Sequence, residues 1–347
     1  MLLLAAVGLL TACEQSAADS EGADTSMEEQ TTDTADMDWI KKANIYEVNI
    51  RQYTPEGTFN AFAQHLPRLQ DMGVKILWFM PIYPISEKNR KGTLGSYYAV
   101  SDFTSVNPNF GTMDDFKALV ADAHTRGMKV ILDWVPNHTG WDHHWITEHP
   151  DWYTQNEAGE IIDPSNDKGE SYGWTDVADL NYNNADMRKA MIDDLKFWLT
   201  EVGVDGYRCD VAYEVPDDFW AQVHDAFKPF EPVFMLAEAE HAPHRNEGYF
   251  NMSYSWSFHH LMNDIAKGKK DATAVKTWYQ EDRAKFKQGY HMQFTTNHDE
   301  NSWNGTIEER MGEAGDAMNV LAFTFDGMPL IYSGQEAGLN KRLEFFE

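Results

Sequence analysis

The chain has 347 residues, 28 basic against 56 acidic, a formal net charge of −28 and two cysteines, Cys13 and Cys209. So acidic a composition argues against nucleic acid and anionic membrane surfaces as partners; it suits a neutral substrate or a salty habitat, and equally serves solubility alone. Two cysteines, one of them within the leader described next, leave an exported domain no intramolecular disulfide, so its fold must rest on a core.

Residues 2–10 form an apolar run too short to span a bilayer, followed by Leu10-Thr11-Ala12-Cys13. This reads as a secretory signal, residues 1–13, ending in a lipoprotein cleavage box with Cys13 as the lipidated residue. Residues 14–38 hold nine acidic residues and none that is basic, with almost no apolar mass. Such a stretch stays extended by self-repulsion and is expected to be a disordered tether. The expected product is an exported, membrane-anchored lipoprotein, periplasmic or at the cell surface.

From residue 39 to 347, short apolar runs alternate with amphipathic ones, the pattern of βα units around a parallel sheet. Strands are predicted at 45–50, 74–80, 129–133, 204–209, 233–237, 249–254, 290–295 and 328–333. Eight such runs, apolar throughout, fit strands buried on both faces. Helical spacing runs over 59–72 and ends at Gly73, with Pro67 predicting a kink. Thr112 and Asp115 form a capping-box pattern for a helix over 113–126, closed by Gly127. A third helix is predicted over 186–202. The link over 139–185, rich in Trp, Asp, His, Asn and Gly, is too long for an ordinary loop and predicts a small inserted subdomain after strand 3.

Polar clusters fall at the C-terminal ends of these strands, the face where (β/α)8 barrels keep their sites. They are Asp133-Trp-Val-Pro-Asn137-His138, Gly206-Tyr-Arg208-Cys-Asp210, Ala237-Glu238 and Asn297-His298-Asp299. A single carboxylate after a strand is ordinarily a helix cap; four clusters on the right strands say more. The run Asp142-His143-His144 lacks a thiolate or a spaced third ligand and reads as a solvated loop rather than a zinc site.

In these segments, read as Asp133-x-x-x-Asn137-His138, Gly206-x-Arg208-x-Asp210, Glu238 and Asn297-His298-Asp299, the chain resembles the α-amylase family, glycoside hydrolase family 13, over about residues 40–340. Asp179-Leu180-Asn181 and Gly327-x-Pro329-x-Ile331-Tyr332-x-Gly334-Gln335-Glu336 extend the resemblance. It implies a (β/α)8 TIM barrel acting on α-glucans or maltooligosaccharides by retention, which needs two carboxyl groups about 5–5.5 Å apart. The implied nucleophile is Asp210, ionised beside Arg208, and the implied acid/base is Glu238, kept protonated by burial and neighbouring carboxylates. Asp299 completes the triad by binding sugar hydroxyls. Tyr98, His138, Arg208 and His298 are the implied substrate-binding residues, although Tyr97 stands where many members carry Gly.

Asn137 and Asp179 match family positions that hold a structural calcium, the cofactor the resemblance allows. Val211-Ala212-Tyr213-Glu214 lacks the Lys-His pair many α-amylases carry after the nucleophile. Family members continue into an eighth helix and a C-terminal β-domain, for which the sequence after residue 333 leaves no room. Hydrolysis of α-1,4-glucans stands beside glucan transfer and cyclomaltodextrinase or neopullulanase action, which share the triad. A non-catalytic surface starch-binding lipoprotein is the alternative of another class.

Overall fold

A computed structural model describes residues 35–166 and 168–347; the expected signal, Cys13 and the tether up to residue 34 lie outside the described residues. In chain order the strands are β1 Ile45–Val48, β2 Ile76–Phe79, β3 Lys129–Trp134, β4 His138–Gly140, β5 Val177–Asp179, β6 Gly206–Cys209, β7 Phe234–Ala237, β8 Met252–Tyr254, β9 Tyr290–Gln293 and β10 Met328–Tyr332. Eight of them close into a barrel in the order β1-β10-β9-β8-β7-β6-β3-β2, with all neighbours parallel. Each predicted stretch coincides with one barrel strand, β3 running one residue past its predicted end. A helix begins at Ala35, before the expected domain start, as a 3-10 turn Ala35–Lys42.

Alternation along the strands sorts the side chains into two layers. Ile45, Ile76, Trp78, Ile131, Phe234, Leu236, Met252, Tyr254, Met292 and Leu330 fill the barrel interior. The intervening residues, among them Tyr46, Leu77, Leu132, Tyr207 and Cys209, pack outward beneath the helices. The same period turns Arg208 inward and leaves the Cys209 thiol buried and free in the outer layer. Gly206 is required by close approach: a Cβ there would meet the Phe234 carbonyl oxygen at 1.9 Å.

The capping box at Thr112 forms as expected and opens the helix Met113–Thr125. The run over 59–72 is not one kinked helix but two, Phe59–Ala63 and Leu66–Asp71. Pro67 sits in the first turn of the second, where its missing N–H costs no hydrogen bond. The third predicted helix is α-helical over Ala185–Phe197 and widens to a π-turn over Trp198–Val202, closed by left-handed Gly203.

The predicted insert opens on β4, which begins at His138. Its β4 and β5 pair antiparallel, His138 opposite Asp179, off the end of β3. The histidine run is not solvated throughout. His143 is buried against Phe103 and Trp145, its Nδ1 accepting the Trp145 N–H at 3.2 Å. Among the described residues no α-helix follows β10, only a 3-10 turn Gln335–Ala337. Among them, too, no helix is long and apolar enough to cross a membrane.

Candidate active site

At the C-terminal end of the barrel lies a cavity of about 360 Å³ lined by Tyr98, His138, Asp210, Glu238, His298 and Asp299, with Trp174, Tyr213, Trp303 and Phe345 among its other walls. Six residues expected from sequence thus meet in one space, although they come from five separate segments.

Arg208 lies beneath this cavity, with no exposed surface. Its Nη1 donates to Asp210 Oδ1 at 2.7 Å and to Asp133 Oδ1 at 2.9 Å, while Nη2 lies 2.9 Å from Glu238 Oε2. Nε donates to the Tyr254 hydroxyl at 3.1 Å. One guanidinium therefore orients three carboxyl groups, and the position expected to touch substrate acts from below, through its neighbours. A planar fork with five donors suits this; an ammonium does not. Glu238 Oε2 also accepts the Val211 N–H at 2.8 Å.

Three buried carboxyls around one guanidinium carry more negative charge than it neutralises. Burial raises the Asp210 carboxyl well above its ordinary range, Arg208 opposes this, and the charges of Glu238 and Asp133 add to it. Burial likewise lifts Asp133 to about 6 against the pull of Arg208 and His298. Burial outweighs the guanidinium at both groups, the reverse of the expectation that Arg208 alone keeps Asp210 ionised.

Across the cavity a second network holds Asp299. His298 Nδ1 lies 2.6 Å from Glu47 Oε1, and its Nε2 lies 2.8 Å from the Tyr98 hydroxyl and 3.2 Å from Asp299 Oδ2. Burial opposes a charge on His298, yet Asp299 and Glu47 outweigh it and raise its pKa to about 9. The Tyr98 hydroxyl also donates to Asp133 Oδ2 at 3.1 Å, where Trp78 Nε1 donates at the same distance. The Tyr98 ring is nearly parallel to those of His298 and Phe345, at 5.6 and 6.0 Å.

His138 is buried, and burial lowers its pKa to about 3, so its ring is neutral. Asn137 Nδ2 approaches its Nδ1 at 3.3 Å. Asn137 precedes His138, which pairs with Asp179 across β4 and β5, and the Leu180 N–H donates to the Asn137 carbonyl at 3.2 Å. Burial raises Asp179 to about 6, with a Thr154 hydrogen bond opposing and Glu214 and Asp163 adding.

Sequence reading did not single out Glu47, Trp78 or Tyr254 as site residues, and it placed Asp133 in a strand-end cluster without giving it a role. The signal for Glu47 was present: a carboxylate in an apolar strand, at the same parity as inward-facing Ile45. Trp174, Tyr213 and Trp303 have no such signal, because loop shape alone brings them to the rim.

A closed parallel barrel with paired carboxyls at its C-terminal face defines a glycosidase-type (β/α)8 enzyme fold. The model of the α-amylase catalytic domain matches residues 15–344. The α-amylase MalA of Haloarcula japonica is 30% identical over 321 residues, 88% of this chain and 45% of its own length. Alpha-amylase 3 of Dictyoglomus thermophilum is 27% identical over 87% of this chain and 65% of its own length. The chain thus spans about half to two thirds of these curated relatives. An α-amylase structure from Lactobacillus plantarum superposes with TM-score 0.80 at 35% identity, covering 88% of this chain and 74% of that one. A maltogenic α-amylase structure from Thermotoga neapolitana gives TM-score 0.80 at 30% identity, covering 88% and 71%. This chain belongs to the α-amylase family.

Proposed function

We propose that the chain is a retaining glycoside hydrolase cleaving α-1,4-glucosidic bonds in starch-derived maltooligosaccharides. The observation that carries this is the placement of Asp210 and Glu238 on the two terminal nitrogens of one guanidinium, with Asp299 across the same cavity. Oxygens held by one guanidinium favour the short separation of retaining enzymes over the roughly 6.5–9.5 Å that inverting enzymes need for a water.

In this reading Asp210 Oδ2, the oxygen not bonded to Arg208, attacks the anomeric carbon. The glycosidic C–O bond breaks as Glu238 delivers its proton to the departing oxygen. Glu238, now ionised, removes a proton from water, whose oxygen displaces Asp210 and regenerates the acid. Asp299 and charged His298 hold sugar hydroxyls as positive charge grows on the ring, and neutral His138 accepts or donates beside them. Trp174, Tyr213 and Trp303 offer apolar faces to further sugar rings. The relatives' names, which include amylases, a trehalose-6-phosphate hydrolase and a maltase, support a glucosidic substrate and leave linkage to the rim.

Calcium at Asn137 and Asp179 belongs to the same proposal. Asn137 would offer a carboxamide oxygen and Asp179 a carboxylate, with Glu214 and Asp163 adding negative charge near Asp179, and such donors suit a hard cation. There it would supply charge that fixes the insert against the barrel. Export and anchoring through a lipid on Cys13 are proposed from the leader pattern alone.

The test is incubation of the full chain with maltoheptaose, following the anomer first released by proton NMR. Shortened glucans in the α-configuration are expected, with Asp210→Asn and Glu238→Gln each lowering turnover by roughly 10⁴-fold or more. β-configured products would overturn retention. No turnover in the parent chain would favour a binding protein that kept the fold.

A further inference from the structure

Asp217, His241 and His244 form a cluster outside the residues that line the cavity. Asp217 opens the helix Asp217–Phe227 after β6, and the histidines flank the start of the short helix Ala242–Asn246 after β7. His241 Nε2 lies 2.9 Å from one oxygen of the Asp217 carboxylate and His244 Nε2 lies 3.2 Å from the other. The three ligand atoms lie within 4.8 Å of one another, the only such group of His, Cys, Asp or Glu among the described residues.

His244 is the informative member. It is fully buried, yet neither ring nitrogen makes a properly directed hydrogen bond. Its ring is walled by Trp220 and Phe250, with centroids at 6.2 and 5.0 Å. A buried imidazole whose polar atoms are unsatisfied is costly and calls for an occupant. Pairing with an acid explains the short Nε2–carboxylate approach. It does not explain the missing hydrogen-bond direction, nor why a second imidazole converges on the same carboxylate.

We propose that Asp217, His241 and His244 bind a divalent transition-metal ion of the zinc type. Two imidazoles to one carboxylate suit zinc and disfavour calcium or magnesium, which take oxygen sets. Ligands 2.0–2.1 Å from a tetrahedral zinc lie roughly 3.3 Å apart, which the two histidine–carboxylate approaches of 2.9 and 3.2 Å match. The three atoms as a set lie within 4.8 Å and would draw in on the ion. Asp217 and His241 are partly exposed, leaving the fourth position to water. The ion ties together the loops that follow Asp210 and Glu238, and its role is to hold those loops rather than to join the reaction. The site does not depend on the proposed hydrolysis.

The test uses the full chain after dialysis against a chelator. Titration with Co²⁺ is expected to produce the strong visible absorption of four-coordinate cobalt, saturating at one equivalent and displaced by Zn²⁺. Calorimetric titration with Zn²⁺ should give one site, weakened roughly 10-fold or more in His241→Ala and in Asp217→Asn. Both positions are partly exposed, so these variants are expected to fold, which circular dichroism checks, whereas the fully buried His244 is a poorer target. Absence of the cobalt absorption, or unchanged Zn²⁺ affinity in folded His241→Ala, would overturn the assignment.

Discussion

The two walls of the cavity hold carboxylates by different means. On the β3–β6–β7 side the cation is Arg208, which stays charged at any pH the fold survives and contacts Asp133, Asp210 and Glu238. On the β1–β9 side it is His298, charged only because Glu47 and Asp299 raise its pKa to about 9. One wall therefore has a fixed cation, and the cation of the other can titrate. The acid/base chemistry is proposed for the fixed wall, where proton affinities must be set by geometry, and sugar contact for the wall that can change.

The largest effect is expected from breaking the fixed wall. Arg208→Met leaves three buried carboxyls without a cation, a change in the class that costs about 3–5 kcal/mol. Turnover of maltoheptaose should fall at least 10²–10³-fold. Arg208→Lys restores the charge but not the fork, so it should recover much of the stability and little of the rate. Urea unfolding beside kinetics separates the two; full rate recovery by lysine would mean that charge alone matters.

Glu47→Gln tests the other wall. Because His298 is raised from about 6.5 to about 9, its charged form adds stability fully below pH 6.5, progressively less between 6.5 and 9, and none above. Removing Glu47 takes away part of that, about 1–3 kcal/mol at pH 6. The gap in melting temperature between parent and variant should narrow as pH rises through 9, and the alkaline limb of activity should move to lower pH. A gap constant across that range would show that His298 is not the titrating group.

Asp133 joins the walls, since Oδ1 takes Arg208 and Oδ2 takes Tyr98, which in turn meets His298. With its pKa raised to about 6, keeping it ionised at pH 7 is itself costly. Asp133→Asn removes that cost and also one partner of Arg208, so the net change in stability should be small, within about 1 kcal/mol. Its effect belongs in the pH profile: Asp133 raises Asp210, so the acid limb of kcat/KM should shift to lower pH. An unmoved profile would uncouple the walls.

The division between walls also marks what the sequence made legible. The eight strands were readable because apolar runs and turn residues are local signals, and strand-end positions placed Asp210, Glu238 and Asp299 before any coordinates. The resemblance supplied their roles. Glu47 was passed over because its partner His298 lies 251 residues away, and no local pattern announces such a pairing. The split at Pro67 and the π-turn at Trp198 were missed for a different reason. Periodicity shows which face of a helix is apolar, not where its hydrogen bonding changes. The rim aromatics depend on loop paths that tertiary packing alone sets.

The finest difference between the walls lies in the backbone. Val211, directly after Asp210, has φ +37°; with Asn89 it is one of two non-glycine residues with positive φ among those described, and the Asn297–Asp299 loop has none. For a β-branched residue such a conformation costs of order 1–3 kcal/mol. It aims the Val211 N–H at Glu238 Oε2. Val211→Gly relieves the strain but adds about 0.5–1 kcal/mol of backbone entropy loss and forgoes a half-buried side chain. The sum should be a gain of at most about 1 kcal/mol, roughly 2 °C in Tm. A glycine holds that N–H less firmly, so kcat should fall a few-fold while KM stays put. A variant that is less stable and fully active would mean that the strain serves neither Glu238 nor the fixed wall.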